Sequence, residues 1–194
     1  MQRKGHNMSN RLSWDEYFMI IAKVVSIRST CNSRHIGVVV VKDKHILATG
    51  YNGAMPGYEH CTDKTMSDGG VYCERRAQNV VDLDKYNFCI ASHAESNAIS
   101  QAANKGISLN GGVIYTTLFP CFNCFKMVVM SGIKKIIYEY EYESKNKKRD
   151  SFWEQQVKNT GIACEKLIIK NNTIEIINGL LKTKSSNRLL EATN

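Results

Sequence analysis

The sequence contains no apolar stretch long enough to span a membrane, because charged residues interrupt its hydrophobic runs within about ten residues. Residues 1–11 are polar and lack the apolar core of a secretory signal peptide. The chain also lacks internal repeats and low-complexity linkers, so its 194 residues give no indication of a second domain. We therefore expect one globular domain in the cytoplasm, with no membrane partner.

A disulfide framework is also not expected. The seven cysteines are an odd number in a chain without a recognisable secretory signal. This count favours thiols that are reduced or bound to a metal ion.

The formal net charge of +8 and the isoelectric point near 9.1 favour an anionic partner. Charge alone does not distinguish a polynucleotide from a mononucleotide phosphate. The densest basic cluster, within 145–149, follows an acidic stretch at 139–143. This arrangement is more typical of a solvated loop than of a nucleic-acid-binding patch.

The most informative pattern combines His93-Ala94-Glu95 with the later segment Pro120-Cys121-Phe122-Asn123-Cys124. One imidazole and two thiolates suit a catalytic Zn²⁺ whose fourth position stays open. A CxxC pair alone is also found in redox sites and structural metal sites. The order of the two segments, the proline and the preceding apolar run 112–118 together favour the signature of zinc nucleobase deaminases. We predict His93, Cys121 and Cys124 as zinc ligands and Glu95 as the catalytic proton carrier.

Hydrophobic periodicity predicts alternating helices and strands. A capping box formed by Ser13 and Glu16 precedes the first predicted helix, at 14–28. A β-hairpin is predicted next, followed by a turn-rich loop at 50–57 and by little periodicity as far as residue 88. The hairpin strands are predicted at 35–41 and 46–49, the later helices at 93–105, 121–130 and 151–159, and the later strands at 113–117, 134–138 and 163–169. This order predicts a five-stranded mixed sheet covered by helices in a three-layer α/β/α arrangement.

Two of the predicted helices begin at metal ligands, one at His93 and one at Cys121. The positive ends of both helix dipoles are therefore expected to point at the ion. Backbone N–H groups directed at the sulfur atoms would offset the charge of two thiolates and preserve the Lewis acidity of the metal.

Beyond this motif, the sequence resembles the deoxycytidylate (dCMP) deaminases of the cytidine deaminase superfamily. The segments that carry the resemblance are Arg28-Ser29-Thr30-Cys31-Asn32, Ile36-Gly37-Val38-Val39, Gly50-Tyr51-Asn52-Gly53 and Leu118-Phe119-Pro120-Cys121. The resemblance implies a catalytic domain of cytidine deaminase-like fold over 11–170, with terminal extensions at 1–10 and 171–194.

The resemblance also implies an activity and its regulation. The expected reaction is hydrolysis of dCMP to dUMP and ammonia, which supplies dUMP for thymidylate synthesis. The implied assembly is a homo-oligomer, most commonly a hexamer, without a stable nucleic-acid partner. The implied effectors, bound with Mg²⁺, are dCTP as activator and dTTP as inhibitor.

Transferred to this chain, the resemblance implies substrate contacts. It places the Ala94 backbone at the base, Asn52 at the sugar, and Arg28 and Ser29 near the 5′-phosphate. Tyr142 is a further phosphate partner, although its glutamate-rich neighbours depart from the family pattern. The residues assigned to an allosteric loop are Gly50, Tyr51 and Gly53.

Without the resemblance, two of these assignments have simpler interpretations. Asn52 fits a turn residue that tolerates left-handed backbone. Arg28 fits a solvent-exposed cation at a helix end.

Four further cysteines lie outside the catalytic motif. Some family members carry a second, structural zinc in this region, and four thiolates form a complete tetrahedral ligand set. The predicted ligands are Cys31, Cys61, Cys73 and Cys89, with His60 or Glu74 able to replace one cysteine. The alternative is that these cysteines are buried thiols that pack as small apolar side chains.

The leading functional hypothesis is a mononucleotide deaminase. A deaminase acting on tRNA or single-stranded DNA is the first alternative, and it predicts an aromatic and basic groove for flanking nucleotides. An inactive, zinc-stabilised nucleotide-binding protein is the second alternative. Glu95 argues against it, because a purely structural zinc site does not need a carboxylate beside an open position.

Overall fold

A computed structural model describes residues 12–79, 87–142 and 147–169. The predicted terminal extensions, residues 11 and 170 of the predicted domain, and Glu143 and Lys145 of the charged segments lie outside the described residues. The helices are α1 (Trp14–Ser26), α2 (Glu74–Ala77), α3 (Ala94–Asn104), α4 (Phe122–Met130) and α5 (Lys147–Thr160), with a short 3-10 helix at Cys61–Asp63. The strands are β1 (Gly37–Lys42), β2 (His45–Tyr51), β3 (Gly53–Ala54), β4 (Ala91–Ser92), β5 (Val113–Leu118), β6 (Lys135–Tyr140) and β7 (Ala163–Lys166).

The main sheet has five strands in the order β2-β1-β5-β6-β7. Strand β1 is antiparallel to both β2 and β5, whereas β5, β6 and β7 are parallel. The predicted five-stranded mixed sheet is therefore confirmed. The predicted hairpin is β1–β2, and its two connecting residues, Asp43 and Lys44, have φ of 50° and 64°. Such left-handed pairs form the tight turns that match the twist of a hairpin.

Side chains of the sheet pack into two separate cores, one on each face. One face packs against α3 and α4, and the other packs against α1. The first core includes Val38, Val40, Ile114 and Ile136, and the second includes Val39, Val41, Tyr115 and Ile137. Because β1 is buried on both faces, its sequence is an uninterrupted run of valines rather than an alternating pattern. This arrangement confirms the predicted three-layer architecture.

The ends of the helices follow their sequence signals. Ser13 and Glu16 form both hydrogen bonds of the capping box, as predicted. Gly106 and Gly132 follow α3 and α4 with φ of 66° and 81°, as expected for left-handed residues after a helix. None of the helices within the described ranges is long and apolar enough to cross a membrane.

Several boundaries differ from the predictions, including the ends of α1 at Ser26 and of β7 at Lys166. The loop predicted at 50–57 begins later, because Gly50 and Tyr51 still pair with β1, and Gly53–Ala54 then pairs with β4. The region predicted to be irregular contains α2 and the 3-10 helix. Helix α5 begins at Lys147 instead of residue 151, so part of the basic cluster lies in a helix rather than in a loop. Lysine and arginine have good helix propensity, which permits this earlier start.

Gly50 allows α3 to approach β2 closely. A β-carbon at this position would lie 2.1 Å from the Ala94 carbonyl oxygen and 2.6 Å from the Ala98 nitrogen. Both atoms belong to the backbone, which moves less readily than the end of a side chain. The first turn of α3 therefore depends on the absence of a side chain at residue 50.

We predict that Gly50→Ala lowers the free energy of unfolding by about 2–3 kcal/mol, because it overpacks the α3–β2 contact. Chemical denaturation measures this loss. Gly53→Ala is the matched control, since the nearest atom to its β-carbon is the Thr30 hydroxyl oxygen at 3.2 Å. Equal losses in the two variants would contradict the proposed role of the close approach.

Candidate active site

The three predicted zinc ligands lie together at the start of two helices. His93 is the N-cap of α3, Cys121 is the N-cap of α4, and Cys124 lies in the first turn of α4. His93 Nδ1 is 3.5 Å from Cys121 Sγ and 3.4 Å from Cys124 Sγ. All three ligand atoms lie within 4.8 Å of one another. The placement of these three residues at helix starts is therefore confirmed, and their role as zinc ligands stays a prediction.

This donor set fits a tetrahedral zinc ion. Zinc bonds of 2.0–2.3 Å place neighbouring ligand atoms about 3.6 Å apart, close to the separations from His93 Nδ1 to the two sulfur atoms. One imidazole and two thiols also leave one coordination position without a protein ligand. Among the described residues, this is the one close group of three or more potential metal ligands from His, Cys, Asp and Glu.

One thiol of the cluster is negatively charged at neutral pH, which favours binding of a cation. Hydrogen bonds from Cys124 and His93 lower the pKa of the Cys121 thiol to about 4. The hydrogen bond between the two thiols raises the pKa of the Cys124 thiol, because Cys124 is its donor. Because metal ligands must be deprotonated, binding of zinc has to displace the proton of Cys124.

Glu95 lies in the first turn of α3, and its side chain is buried, with an exposed fraction of 4%. Burial raises the pKa of this carboxyl group to about 7. The carboxylate also interacts with the Cys124 thiol. A carboxyl group whose pKa is near neutrality can both accept and donate a proton, as a general acid–base catalyst must.

Asn52 fixes the start of α3. Its side-chain oxygen accepts a 3.1 Å hydrogen bond from the Ala94 N–H, and its side-chain nitrogen donates to the Arg34 carbonyl at 3.3 Å. Its own carbonyl accepts hydrogen bonds from the Thr30 N–H and the Ser29 hydroxyl. Asn52 therefore joins the segment after α1 to the residue that follows His93.

A cavity of about 580 Å³ opens beside the ligand cluster. Its lining includes His93, Cys121 and Cys124 together with Tyr142 and residues of α5. Of the predicted substrate contacts, Tyr142 lines this cavity, and Arg34 lies over its ring at 5.4 Å.

The other predicted phosphate contacts lie outside this lining. Arg28 is exposed after the end of α1, and Ser29 is buried, with its hydroxyl directed at the Asn52 and Arg34 carbonyls.

The four remaining predicted metal ligands lie in a second region. Cys31, Cys61 and Cys73 are buried and Cys89 is partly buried. Burial raises the pKa of the Cys61 thiol, and negative charge on the other three thiols raises it further, so the four are within electrostatic reach of one another. Within the described ranges, their sulfur atoms do not form a compact ligand set like that of the first cluster.

A family model, the cytidine and deoxycytidylate deaminase zinc-binding region, matches residues 12–140. The chain belongs to this family. The deoxycytidylate deaminase of Mycobacterium phage D29 is 36% identical over 137 residues, which cover 68% of this chain and 98% of that protein. The deoxycytidylate deaminase of Enterobacteria phage T4 is 33% identical, with 78% and 88% of the two chains covered. The resemblance stated from the sequence is therefore confirmed.

A solved structure of a family member has the same fold. The dCMP deaminase of cyanophage S-TIM5, in complex with dCMP and dUMP, superposes with a TM-score of 0.58 at 28% identity. The alignment covers 78% of this chain and 95% of that chain. This similarity confirms the predicted cytidine deaminase-like architecture.

The family motif did not indicate the aromatic wall of the cavity. Trp153 of α5 packs edge-on against Phe122 and Phe125 of α4, with ring centroids 4.4 Å and 4.7 Å away. Phe152 also lines the cavity. The sequence places two of these four aromatic residues within or directly after CxxC and the other two in the last predicted helix. This placement does not specify which helix they contact.

We predict that Cys121→Ser removes the zinc ion bound by the first cluster, because a neutral hydroxyl replaces the thiolate ligand. Elemental analysis of the purified variant measures the zinc content per chain, and circular dichroism checks the fold. Cys164→Ser is the matched control, since Cys164 is exposed on β7. An unchanged zinc content in Cys121→Ser would show that the metal is held elsewhere.

Proposed function

We propose that the protein catalyses the hydrolytic deamination of dCMP to dUMP and ammonia, and so supplies dUMP for thymidylate synthesis. The observation that carries this proposal is the buried Glu95 carboxylate, which interacts with Cys124, next to His93 and Cys121 in the lining of the cavity. Membership of the family and the deoxycytidylate deaminases among the relatives support dCMP as the substrate.

His93, Cys121 and Cys124 would hold the catalytic zinc, and Glu95 would move the protons. When bound, the zinc acts as a Lewis acid that lowers the pKa of water. Glu95 accepts a proton from the water and transfers it to N3 of cytosine, while the water oxygen bonds to C4. Glu95 then takes the remaining proton from the oxygen now bonded to C4 and delivers it to the amino group, so that the C4–N bond breaks, the C4 carbonyl forms and ammonia leaves. The reaction consumes one water molecule and leaves Glu95 in its initial state.

The start of α3 would form one side of the substrate site. We assign the base contact to the Ala94 backbone and the sugar contact to Asn52, and the hydrogen bond between them supports a shared location beside His93. Arg28, Ser29 and Tyr142 remain proposed phosphate contacts, and the position of Tyr142 in the cavity lining supports its assignment.

We predict that Glu95→Gln retains zinc and loses about 10²- to 10⁴-fold in kcat, because an amide cannot transfer protons. Ammonia release from dCMP measures the rate, and elemental analysis measures the zinc. The matched control is Glu139→Gln, which alters another buried carboxylate, bonded to Lys23 at 2.6 Å. Near-normal turnover in folded, zinc-loaded Glu95→Gln would contradict the assigned role.

We also propose a second, structural zinc bound by Cys31, Cys61, Cys73 and Cys89. Hydrogen bonds from Ser33 and Arg75 lower the pKa of the Cys73 thiol despite its burial, which favours a thiolate there.

A neighbouring histidine gives further support for this site. His60 Nδ1 is buried and has no hydrogen-bond partner among the described residues, so this nitrogen could serve as a metal ligand. His60 is therefore a better substitute ligand than Glu74, whose carboxylate accepts hydrogen bonds from Tyr72 and Gln78.

We predict that the unmutated protein contains two zinc ions per chain and that Cys61→Ser removes one of them. Cys61 is buried at the start of the 3-10 helix, so the variant should also loosen the region around it. Elemental analysis of protein prepared without chelator counts the zinc ions, with Cys164→Ser as control. One zinc per unmutated chain would refute the second site.

Assembly and regulation are proposed from the family relationship. We propose a homo-oligomer, with a hexamer favoured, and the exposed apolar residues of α1 support an interaction surface there. These residues are Trp14, Tyr17 and Val24, with Ile27 directly after the helix. The free state of all seven cysteines supports a reducing, cytoplasmic location.

The proposed effectors are dCTP as activator and dTTP as inhibitor, with Mg²⁺. The proposed allosteric segment, Gly50, Tyr51 and Gly53, borders α3 directly. The Tyr51 carbonyl accepts a 2.7 Å hydrogen bond from the Asn97 side chain, and Gly50 lies against the Ala94 carbonyl. A displacement of this segment would therefore move the start of α3. This coupling between the segment and α3 supports its assignment as an allosteric segment.

A further inference from the structure

We propose that the Ser96 hydroxyl donates a hydrogen bond to the Cys124 sulfur when Cys124 binds zinc, and so stabilises Cys124 as a ligand. Ser96 is a positioning residue in this role, because it acts on the metal through Cys124. The inference rests on the zinc site of the proposed function, since it takes His93, Cys121 and Cys124 as the ligands. It adds a residue to which neither the zinc motif nor the family resemblance assigns a role.

The position of Ser96 carries the first step. Ser96 lies in the first turn of α3, and its hydroxyl oxygen is 3.7 Å from Cys124 Sγ and 3.5 Å from Met127 Sδ. A serine within a helix commonly donates to the carbonyl group four residues earlier. Residue 92 belongs to β4, before α3 begins. The Ser96 hydroxyl instead contacts two sulfur atoms of α4.

The chemistry of these two sulfur atoms carries the second step. A hydroxyl has one proton, and the thioether of Met127 is a weak acceptor for it. While Cys124 keeps its own proton, it donates a hydrogen bond to Cys121. Zinc ligation turns Cys124 into a thiolate, because metal ligands must be deprotonated. Since a charged acceptor forms the stronger hydrogen bond, the Ser96 proton turns from Met127 to Cys124 when the metal binds.

The surroundings of Cys124 carry the third step. Cys124 is buried, so water contributes little to the hydration of its thiolate. The Glu95 carboxylate interacts with the same sulfur and repels the thiolate when both are ionised. Ser96 directly follows Glu95 and supplies a neutral hydrogen-bond donor at this sulfur. Groups that hydrogen-bond to metal ligands typically account for about 10- to 100-fold in metal affinity.

The alternative is that Ser96 only fills the space between α3 and α4. Alanine is similar in size and favours a helix, so Ser96→Ala removes the hydroxyl with little change in packing. Ser96→Thr retains the hydroxyl and is the conservative variant. Ser100→Ala is the matched control, because Ser100 is exposed on α3 about one turn later. Met127→Leu removes the other sulfur acceptor.

The experiment uses the full-length protein with Co²⁺ in place of zinc as a spectroscopic probe. Competition with a chelator gives the Kd for Co²⁺, and the sulfur-to-cobalt charge-transfer band reports the electron density on the thiolate ligands. Circular dichroism checks the fold of each variant. A metal ion at the proposed second site contributes equally to all of these proteins, because none of the substitutions lies there. Differences between the variants therefore report on the first cluster.

We expect Ser96→Ala to raise the Kd for Co²⁺ about 10-fold. The charge-transfer band should also move to longer wavelength, because a thiolate that accepts no hydrogen bond gives up electron density more readily. Ser96→Thr, Ser100→Ala and Met127→Leu should keep the Kd within about twofold of the unmutated protein.

An unchanged Kd and an unchanged spectrum in Ser96→Ala would overturn the inference. So would equal losses in Ser96→Ala and Ser96→Thr, or in Ser96→Ala and Met127→Leu, because equal losses assign the effect to packing.

A separate measurement distinguishes this inference from the proposed function. Ammonia release from dCMP by the unmutated, zinc-loaded protein tests the reaction itself. If Ser96→Ala changes the bound metal as expected but dCMP is not deaminated, the proposed function fails and the role of Ser96 stands. If Cys121→Ser leaves the cobalt spectrum unchanged, the first cluster does not hold the metal, and the inference is overturned whatever the ammonia assay gives.

Discussion

The close contact between the end of β2 and the start of α3 is the constraint on which the site depends. Gly50 lets the Ala94 carbonyl approach the strand, and the Asn52 side chain accepts the Ala94 N–H. Together they determine where α3 begins and therefore where His93 lies as its N-cap. Because the Ala94 N–H belongs to the first turn of α3, it has no partner within the helix, and the Asn52 oxygen satisfies it.

The second helix start completes the cluster. Strand β5 ends at Leu118, and Pro120 and Cys121 lead directly into α4. The two parallel strands β5 and β6 hold this exit in place, since the Phe119 N–H donates to the Tyr140 carbonyl at 2.8 Å. Two helix N-termini thus meet at one end of the sheet. The positive ends of their dipoles favour the thiolate form of the two predicted cysteine ligands.

The grouping of His93, Cys121 and Cys124 could be predicted from the sequence, because the spacing that positions these residues is local. The spacing of His93 and Glu95 puts one residue at the helix cap and the other in the first turn. In the same way, the spacing of Cys121 and Cys124 puts Cys121 at the cap of α4 and Cys124 in its first turn. Short-range spacing determines these relative positions once the helices form, and helix starts are well marked by their flanking residues. The valine run of β1 predicted its strand for the same reason.

The rest of the site depends on contacts between segments that are distant in the sequence. Nothing near Asn52 indicates that its side chain bonds to Ala94, 42 residues later. The segment 50–53 has a turn-like composition, yet pairing with β1 extends it as a strand to Tyr51. Likewise, the position of α5 depends on where Trp153 packs, and an aromatic residue in an amphipathic helix does not specify its partner.

This division suggests how chemistry and specificity are separated in the fold. The residues that would bind zinc and move protons lie on α3 and α4, whose starts are determined by short-range spacing and by the sheet. Residues of α5 form another part of the cavity lining, and the aromatic contacts of Trp153 hold α5 against α4. Changes in α5 can therefore alter which ligand the cavity accepts without displacing Glu95 or the metal ligands. The part of the cavity lined by α5 is therefore the part that can change most without altering the residues of the metal-binding motif.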